Sequence, residues 1–194
     1  LKEFIMVSWK KLNEKPFYVR TLFYSAFYTK SFLTHQFRIR NIPGFDCEAL
    51  GGCVKLFVCG GSALPDEIQS FLRIACRASF LQGYGLTEST SSCCVQRSTD
   101  VLEGNCGALL PWCEAKLRSV DHNKASEMTG ELLLRGSSIF HCYYKDEDTT
   151  NTVFTEDGFF MTGDIFKLNK TGQLLMIGRR KEFVKLSQGK YISL

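Results

Sequence analysis

Three short segments carry side chains that could hold a nucleotide with phosphates. They are GGSA at residues 60–63, YGLTE at 84–88 and TGD at 162–164. The ring of Tyr84 offers a flat face for a base, while Thr87 and Glu88 offer the hard oxygen ligands that Mg²⁺ prefers. Asp164 could accept hydrogen bonds from both hydroxyls of a ribose, as an acidic side chain does in dinucleotide-binding folds. The segments together indicate a nucleotide site.

Each segment alone has an ordinary structural explanation. The glycine pair at 60–61 could be a tight turn between a strand and a helix, an isolated Tyr84 is more often a core aromatic, and an isolated Glu88 is more often a solvated charge. Their combination favours a ligand, because Gly83 and Gly85 flank Tyr84 and hydroxyls follow where a helix could begin and receive an anion. The sequence contains no GxxxxGK(S/T), which excludes a P-loop within these residues.

The composition excludes several other classes. The 194 residues, 44% of them hydrophobic, are enough for one large or two small domains with a normal core. A net charge of +4 is too small to predict nucleic acid as a partner. Nine cysteines without a CxxC pair, beside three histidines, do not form a zinc pattern and favour free thiols in a reducing, cytosolic-facing compartment. No apolar run approaches the roughly 20 residues that a membrane helix needs.

The elements that must position these segments follow an α/β pattern. A buried strand at 54–59, a glycine turn, a helix that begins at Pro65 and a second strand at 78–82 would bring ligands to the carboxyl ends of the strands. After about Thr99, short strands separated by turn residues predict a β-rich, barrel-like part. A helix at 16–33 has an apolar stripe that either packs on the domain or, alternatively, makes a peripheral contact with an anionic membrane.

With these motifs in this order, the chain resembles the adenylate-forming (AMP-binding) enzyme superfamily, which includes acyl-CoA synthetases, luciferases and peptide-synthetase adenylation domains. QGYGLTEST at 82–90 is similar to the central motif of that superfamily, and CGGSALPDEIQSFLRI at 59–74 is similar to the turn and helix before it. From GELLLRG at 130–136 to the last residue the similarity is nearly continuous. The ending LSQGKYIS is typical of the long-chain fatty acyl-CoA synthetases.

The resemblance implies roles for individual residues. The implied ATP- and AMP-binding residues are Gly61, Ser62, Ala63, Gly83, Tyr84, Gly85, Leu86, Thr87, Asp164 and Arg179. Tyr84 would stack on adenine, and Asp164 and Arg179 would reach the ribose. The implied catalytic residues are Thr87 at a phosphate, Glu88 as the Mg²⁺ ligand and Lys185 on a mobile loop. Lys181 would be the hinge between a large and a small domain, and Gly178 replaces an Asp that many relatives have before the Arg.

The implied fold is α/β: the C-terminal half of a large adenylation domain, truncated at both ends, with part of a doubly wound sheet and a β-rich, barrel-like subdomain. We assign residues 1–98 to the α/β portion, 99–178 to the β-rich subdomain and 179–194 to the hinge and the start of the small domain. We expect the chain alone to be inactive, because the phosphate loop and the catalytic Lys of the family lie outside it.

The implied reaction is the ATP-dependent activation of a long-chain fatty acid, first to an acyl-adenylate and then to acyl-CoA. Its small molecules would be ATP, Mg²⁺, coenzyme A and the fatty acid. Two alternatives stay open: another adenylate-forming ligase that activates an aryl acid or loads a carrier protein, and a non-catalytic nucleotide- or acyl-binding module. The expected location is the cytoplasm or the cytosolic face of a membrane, and the sequence leaves the oligomeric state open.

Overall fold

A computed structural model describes residues 13–37, 53–62, 64–75, 78–100, 102–119, 128–185 and 191–193. The chain divides into two compact units, one formed by Leu1–Lys55 with Ser70–Ala78 and the other by Leu56–Gln69 with Ser79–Leu194. The domain boundaries expected after residues 98 and 178 stay predictions. Among the described residues, no helix is long and apolar enough to cross a bilayer.

The first unit contains helix α1, Phe17–Phe37, which extends four residues beyond the predicted end at residue 33. The carbonyl of Pro16 accepts hydrogen bonds from the next turn and so starts the helix. Phe23 and Phe27, two members of the predicted apolar stripe, are half-buried, and the ring of Phe27 lies 5.6 Å from that of Phe71. The stripe is only partly covered, because Leu22 is 72% exposed.

The second unit contains a four-stranded sheet with the order β1-β2-β3-β4. Its strands are β1 (Leu56–Cys59), β2 (Ser79–Tyr84), β3 (Cys94–Val95) and β4 (Ala108–Leu109). β1 and β2 are parallel and joined through helix α2, Asp66–Ala75, whereas the later pairs are antiparallel. α2 begins directly after Pro65, as predicted, with two carboxylates in its first turn, where they interact favourably with the helix dipole.

The prediction that the first strand is buried is wrong. Val58 is 65% exposed and Leu56 is 50% exposed. The reason is topological: in the described sheet β1 is an edge strand that pairs only with β2, so its side chains are covered incompletely.

The same unit contains a second four-stranded sheet, which is antiparallel with the order β5-β6-β7-β8. Its strands are β5 (Cys113–Arg118), β6 (Thr129–Gly136), β7 (Phe160–Leu168) and β8 (Leu174–Arg179). Helix α3, Glu147–Val153, lies between β6 and β7, and β9 (Phe183–Lys185) pairs with β10 (Tyr191–Ser193). This sheet is open, and the described strands do not close into a barrel.

The hydrophobic core of this unit draws on both four-stranded sheets. Leu132, Leu134 and Phe166 are fully buried and share one cluster with Tyr84 and with buried cysteine side chains. The described cysteines are free thiols, and four of them, Cys93, Cys94, Cys106 and Cys113, are buried. The cysteines therefore act as small apolar core residues.

Gly107→Ala should destabilise the protein more than Gly172→Ala. Both glycines have positive φ, +82° and +77°, so an Ala at either position costs about 1–2 kcal/mol of backbone strain. A Cβ at Gly107 would also lie 2.0 Å from the carbonyl of Val95, whereas one at Gly172 meets nothing within 4 Å. We expect the thermal unfolding midpoint of the intact protein to fall by several degrees more for Gly107→Ala. Equal midpoints would show that the close approach to Val95 does not constrain the fold.

Candidate functional site

The loop that follows β2 is closed by its own backbone. The N–H of Cys93 donates to the carbonyl of Tyr84 at 3.0 Å. Ser89, which ends the short 3₁₀ helix Thr87–Ser89, is fully buried, and its hydroxyl accepts from the N–H of Leu86 at 2.8 Å. A Cβ at Gly85 would lie 1.4 Å from the carbonyl oxygen of Ser91, so only glycine fits there. The sequence YGLTE therefore forms a tight, fixed loop.

Three hydrogen bonds attach this loop to the segment between β6 and α3. The N–H of Phe140 donates to the backbone carbonyl of Glu88 at 2.8 Å, and the hydroxyl of Thr90 donates to the carbonyl of Ser138 at 2.8 Å. The hydroxyl of Tyr143 donates to Oε1 of Glu88, also at 2.8 Å. Both the backbone and the side chain of Glu88 are therefore held from outside the loop.

Tyr143 is a constant hydrogen-bond donor to Glu88. Partial burial and the hydrogen bond to Glu88 raise the pKa of Tyr143 to about 12, so its hydroxyl stays protonated at neutral pH. We did not single out Tyr143 from the sequence. An aromatic pair in the sequence CYYKD gives no local sign of which hydroxyl reaches a carboxylate 55 residues earlier in the chain.

Tyr84 joins the end of β2 to Asp164 on β7. Its hydroxyl donates to Oδ2 of Asp164 at 2.5 Å, and its ring contacts that of Phe166 edge-on at a centroid distance of 4.7 Å. Burial, followed by the hydrogen bond to Asp164, raises the pKa of Tyr84. Tyr84 is 8% exposed and also lines the cleft. It is therefore both a core aromatic residue and a candidate ligand-binding residue.

Asp164 is a buried carboxylate with two partners. It is 2% exposed, and Nε of Arg179 lies 3.4 Å from its Oδ1. Burial raises the pKa of Asp164, while the hydrogen bond from Tyr84 and the charge of Arg179 act in the opposite direction. Each carboxylate oxygen has a second lone pair, so Asp164 can still accept hydrogen bonds from a ligand.

These elements surround one cleft of about 1270 Å³. The predicted residues that line it are Gly61, Gly83, Tyr84, Gly85, Leu86, Thr87, Glu88, Asp164, Arg179 and Lys181. Ser62 lines a smaller recess of about 40 Å³ that shares Tyr84 and Asp164 with the cleft. Ala63 lies outside the described residues, and for Lys185 the structure gives the backbone position in β9. Residues that are distant in sequence thus meet around one space.

One charged group on the wall of this cleft was not predicted from the sequence. Oε2 of Glu131, a residue that is 3% exposed, lies 2.6 Å from Nη2 of Arg118 and 3.0 Å from Nη1 of Arg180. The available signal was a single carboxylate in the apolar run GELLL, because a buried charge requires partners. The sequence does not say which arginines they are.

Glu88 fits the way in which proteins bind Mg²⁺ together with a nucleotide. No group of three or more His, Cys, Asp or Glu side chains that could hold a metal occurs in the described part of the chain. Mg²⁺ commonly uses one or two carboxylates and completes its shell with water and substrate phosphates. Glu88 lies on the cleft with one oxygen bonded to Tyr143, which leaves its other oxygen for such an ion.

Comparison with known sequences identifies one family. A family profile described as AMP-binding enzyme matches residues 12–144. Acyl-CoA ligase 891, peroxisomal, of Penicillium roqueforti is 44% identical over 144 residues, which cover 72% of this chain and 20% of the relative. Fatty acyl-CoA synthetase B of Dictyostelium discoideum is 36% identical over 197 residues, which cover 95% of this chain and 29% of the relative. The chain thus spans 20% and 29% of the length of these two curated relatives.

Solved structures share the fold. The ATP-bound RpMatB-BxBclM chimera B3 matches with a TM-score of 0.67 at 22% identity, over 86% of this chain and 35% of the chimera. ATP-bound MatB from Rhodopseudomonas palustris matches with a TM-score of 0.66 at 25% identity, over 82% of this chain and 32% of MatB. The α/β fold inferred from the sequence is confirmed.

Tyr84→Phe should weaken the binding of AMP to the intact protein by about ten-fold, because Asp164 loses the charge-assisted hydrogen bond that holds its carboxylate in place. The variant keeps the ring and removes the donor to Asp164. Without this donor to its ionised form, the pKa of Asp164 should rise further above its usual range. As the pH is lowered, the variant should therefore lose AMP binding at a higher pH than wild type does. Calorimetric titration with AMP at a series of pH values measures this. Tyr18→Phe, on an exposed ring, is the control; unchanged binding and pH profile in Tyr84→Phe would contradict the role of Asp164.

Tyr143→Phe should raise the Mn²⁺ concentration that half-saturates the ATP complex by about 10- to 100-fold, because Glu88 loses the donor that orients it. The measurement is paramagnetic detection of Mn²⁺ bound in the presence of ATP, which does not depend on turnover. The matched control is Tyr144→Phe, since the neighbouring ring is 86% exposed. If both variants bind Mn²⁺ equally, Tyr143 does not position a metal ligand.

Proposed function

Since this chain belongs to the AMP-binding enzyme family, we propose that the full-length protein uses ATP to activate a long-chain fatty acid to acyl-CoA. The observation that carries the proposal is the shared cleft, where the aromatic, carboxylate and guanidinium groups expected around AMP line one space. Relatives named as long-chain-fatty-acid–CoA ligases, such as ligase 4 of Saccharomyces cerevisiae at 36% identity over 95% of this chain, support the choice of acid.

In the first half of the reaction, a carboxylate oxygen of the fatty acid attacks the α-phosphorus of ATP. The bond from that phosphorus to the bridging oxygen breaks, and pyrophosphate leaves with the electron pair. A bound Mg²⁺ would supply electrostatic stabilisation of the phosphate oxygens, and Glu88 would be its protein ligand. The hydroxyl of Thr87, exposed on the cleft, would donate to a phosphate oxygen.

The adenosine part of ATP would be held at the junction of the two sheets. The part of the Tyr84 ring that lines the cleft would contact adenine, while Asp164 would accept hydrogen bonds from the ribose and Arg179 would add a donor beside it. Holding the nucleoside at fixed points keeps the α-phosphorus in line with the attacking carboxylate, which lowers the entropic part of the barrier.

In the second half, the thiolate of coenzyme A attacks the acyl carbon of the adenylate. The bond from that carbon to the AMP oxygen breaks, AMP leaves with the electron pair, and the thiol proton passes to solvent. A rotation at Lys181 would exchange the small-domain surface that faces the cleft between the two halves. Lys181 is exposed and lies on the cleft margin, a position that suits a hinge. Lys185 would move with the loop that follows.

Several finer assignments stay predictions. The location on the cytosolic side, the peripheral membrane contact and the preferred chain length belong to this group. The membrane contact has one supporting observation: α1 exposes large aromatic side chains, namely Phe17, Tyr18, Tyr28 and Phe32. Such residues, flanked by Lys and Arg, are typical of helices that lie at a lipid interface.

Glu88→Ala should reduce palmitate-dependent ATP–pyrophosphate exchange by the full-length protein by at least about 100-fold, because the variant lacks the protein ligand of the metal. Benzoate serves as the rival acid, and Glu156→Ala, at an exposed position, serves as the control. Exchange with benzoate and not palmitate would instead identify an aryl-acid ligase. No exchange with any acid, from folded wild-type protein that binds ATP, would favour the non-catalytic binding module.

A further inference from the structure

The carboxylate of Glu131 is charged and buried at the same time. It is 3% exposed and precedes Leu132, Leu133 and Leu134, which are between 0% and 2% exposed. Removing an ionised carboxylate from water is costly unless it is paired and hydrogen-bonded. Its Oε2 meets this requirement with two guanidinium groups, Nη2 of Arg118 at 2.6 Å and Nη1 of Arg180 at 3.0 Å.

The two arginines reach Glu131 by different routes. Arg118 is its direct cross-strand neighbour in the β5–β6 pair, so that contact follows from the sheet register. Arg180 follows β8, which is separated from β6 by β7 in the strand order, and lies 49 residues away in sequence. The contact with Arg180 is therefore a tertiary contact that joins the residue after β8 to β6, on the other side of β7.

Arg179, the residue before Arg180, is also held by a buried carboxylate. Arg179 is the last residue of β8, pairs with Asp164 in the β7–β8 ladder, and places Nε 3.4 Å from the carboxylate of Asp164. Two consecutive arginines thus bind two buried carboxylates on two different strands, β7 and β6. The next residue is Lys181, whose side chain is exposed.

We propose that Arg180 is a positioning residue: its ion pair with Glu131 fixes the segment before Lys181 to the second sheet, so that the small domain rotates about residues from Lys181 onward. Hinge rotation requires large φ and ψ changes at a few residues. A residue whose side chain makes charge-assisted hydrogen bonds to a buried group resists such changes. The boundary between fixed and rotating backbone is therefore set by Arg180. This inference rests on the proposed two-step reaction and on the hinge at Lys181.

The test uses the full-length protein with Arg180→Gln, which removes the charge but keeps a long polar side chain. Arg135→Gln is the matched control, since Arg135 also forms an Arg–Glu pair, with Glu114 between β5 and β6, that is shorter (2.6 Å against 3.0 Å) but lies on an exposed surface. Palmitate-dependent ATP–pyrophosphate exchange measures the first half of the reaction. Single-turnover transfer from preformed palmitoyl-AMP to coenzyme A measures the second half.

We expect Arg180→Gln to keep the exchange within about two-fold of wild type and to slow acyl transfer about ten-fold, within the roughly 5- to 150-fold typical of coupling between sites. Arg135→Gln should leave both halves unchanged, and Arg180→Lys should recover part of the transfer rate because it restores the charge. An equal loss in both halves, or no loss in either, would overturn the positioning role. A raised KM for coenzyme A that disappears with dephospho-coenzyme A would assign Arg180 to binding of the 3′-phosphate and would also overturn it.

A measurement without turnover separates this inference from the proposed function. Hydrogen exchange of the backbone amides from Arg180 to Lys185 should be faster in Arg180→Gln than in wild type, because the segment loses its link to β6. Unchanged exchange would overturn the inference even if the enzyme is active. Faster exchange in a protein that shows no palmitate-dependent activity would support the link while refuting the proposed reaction.

Discussion

The hydrogen bond from Tyr84 to Asp164 is the interaction on which the candidate site depends. Tyr84 ends a strand of the first sheet, and Asp164 lies on the second, so one contact of 2.5 Å links the two layers. The ring of Tyr84 is fixed at the same time by Phe166 in the core. The expected adenine platform and ribose acceptor therefore cannot move independently, and their spacing is set by core packing rather than by a flexible loop.

The other half of the site is built in a different way. Thr87 and Glu88 are carried by a loop, and loops are usually mobile unless their backbone groups are satisfied. Here the backbone at Gly85 packs closely against the carbonyl of Ser91, which closes the loop on itself. The N–H of Phe140 then anchors the loop to the segment that follows β6 in the second sheet. The expected nucleoside end thus combines core packing with the hydrogen bond from Tyr84 to Asp164, whereas the expected phosphate end relies on hydrogen bonds of the loop. A core substitution and a loop substitution should consequently perturb different parts of a bound nucleotide.

The features of the fold that could be predicted from the sequence are those set by neighbouring residues. Strand, glycine turn and helix were predicted at nearly the right places because Gly60, Gly61 and Pro65 act on their immediate neighbours. The residues of YGLTE and TGD were expected at one site from motif resemblance, and they do line one cleft. Local patterns could not predict the coverage of β1, because the exposure of a strand depends on which strands flank it.

The hydrogen-bond and ion-pair partners of the site carboxylates could not be predicted from the sequence for a related reason. The donor to Glu88 lies 55 residues away, the donor to Asp164 lies 80 residues away, and Arg180 lies 49 residues from Glu131. Such pairs leave no periodicity, since their partners are selected by the strand order and not by neighbouring residues. A buried charge can be noticed in a sequence, as with Glu131 in its leucine run, but its partner is chosen by the tertiary structure.

The buried cysteines next to the loop that follows β2 can report on local opening of the structure. Cys93 and Cys94 are fully buried, and the thiol of Cys93 donates to the carbonyl of Tyr84 at 3.3 Å. Hydrogen bonds to Cys106 and Cys93, together with burial, raise the pKa of Cys94, so its thiolate is scarce in the folded chain. An alkylating reagent can reach these buried sulfurs only when the structure around them opens, whereas Cys53 and Cys142 are exposed in the closed structure. The rate at which Cys93 and Cys94 are labelled therefore reports how often the structure around residues 84–94 opens, and a ligand that binds only the closed form would lower that rate.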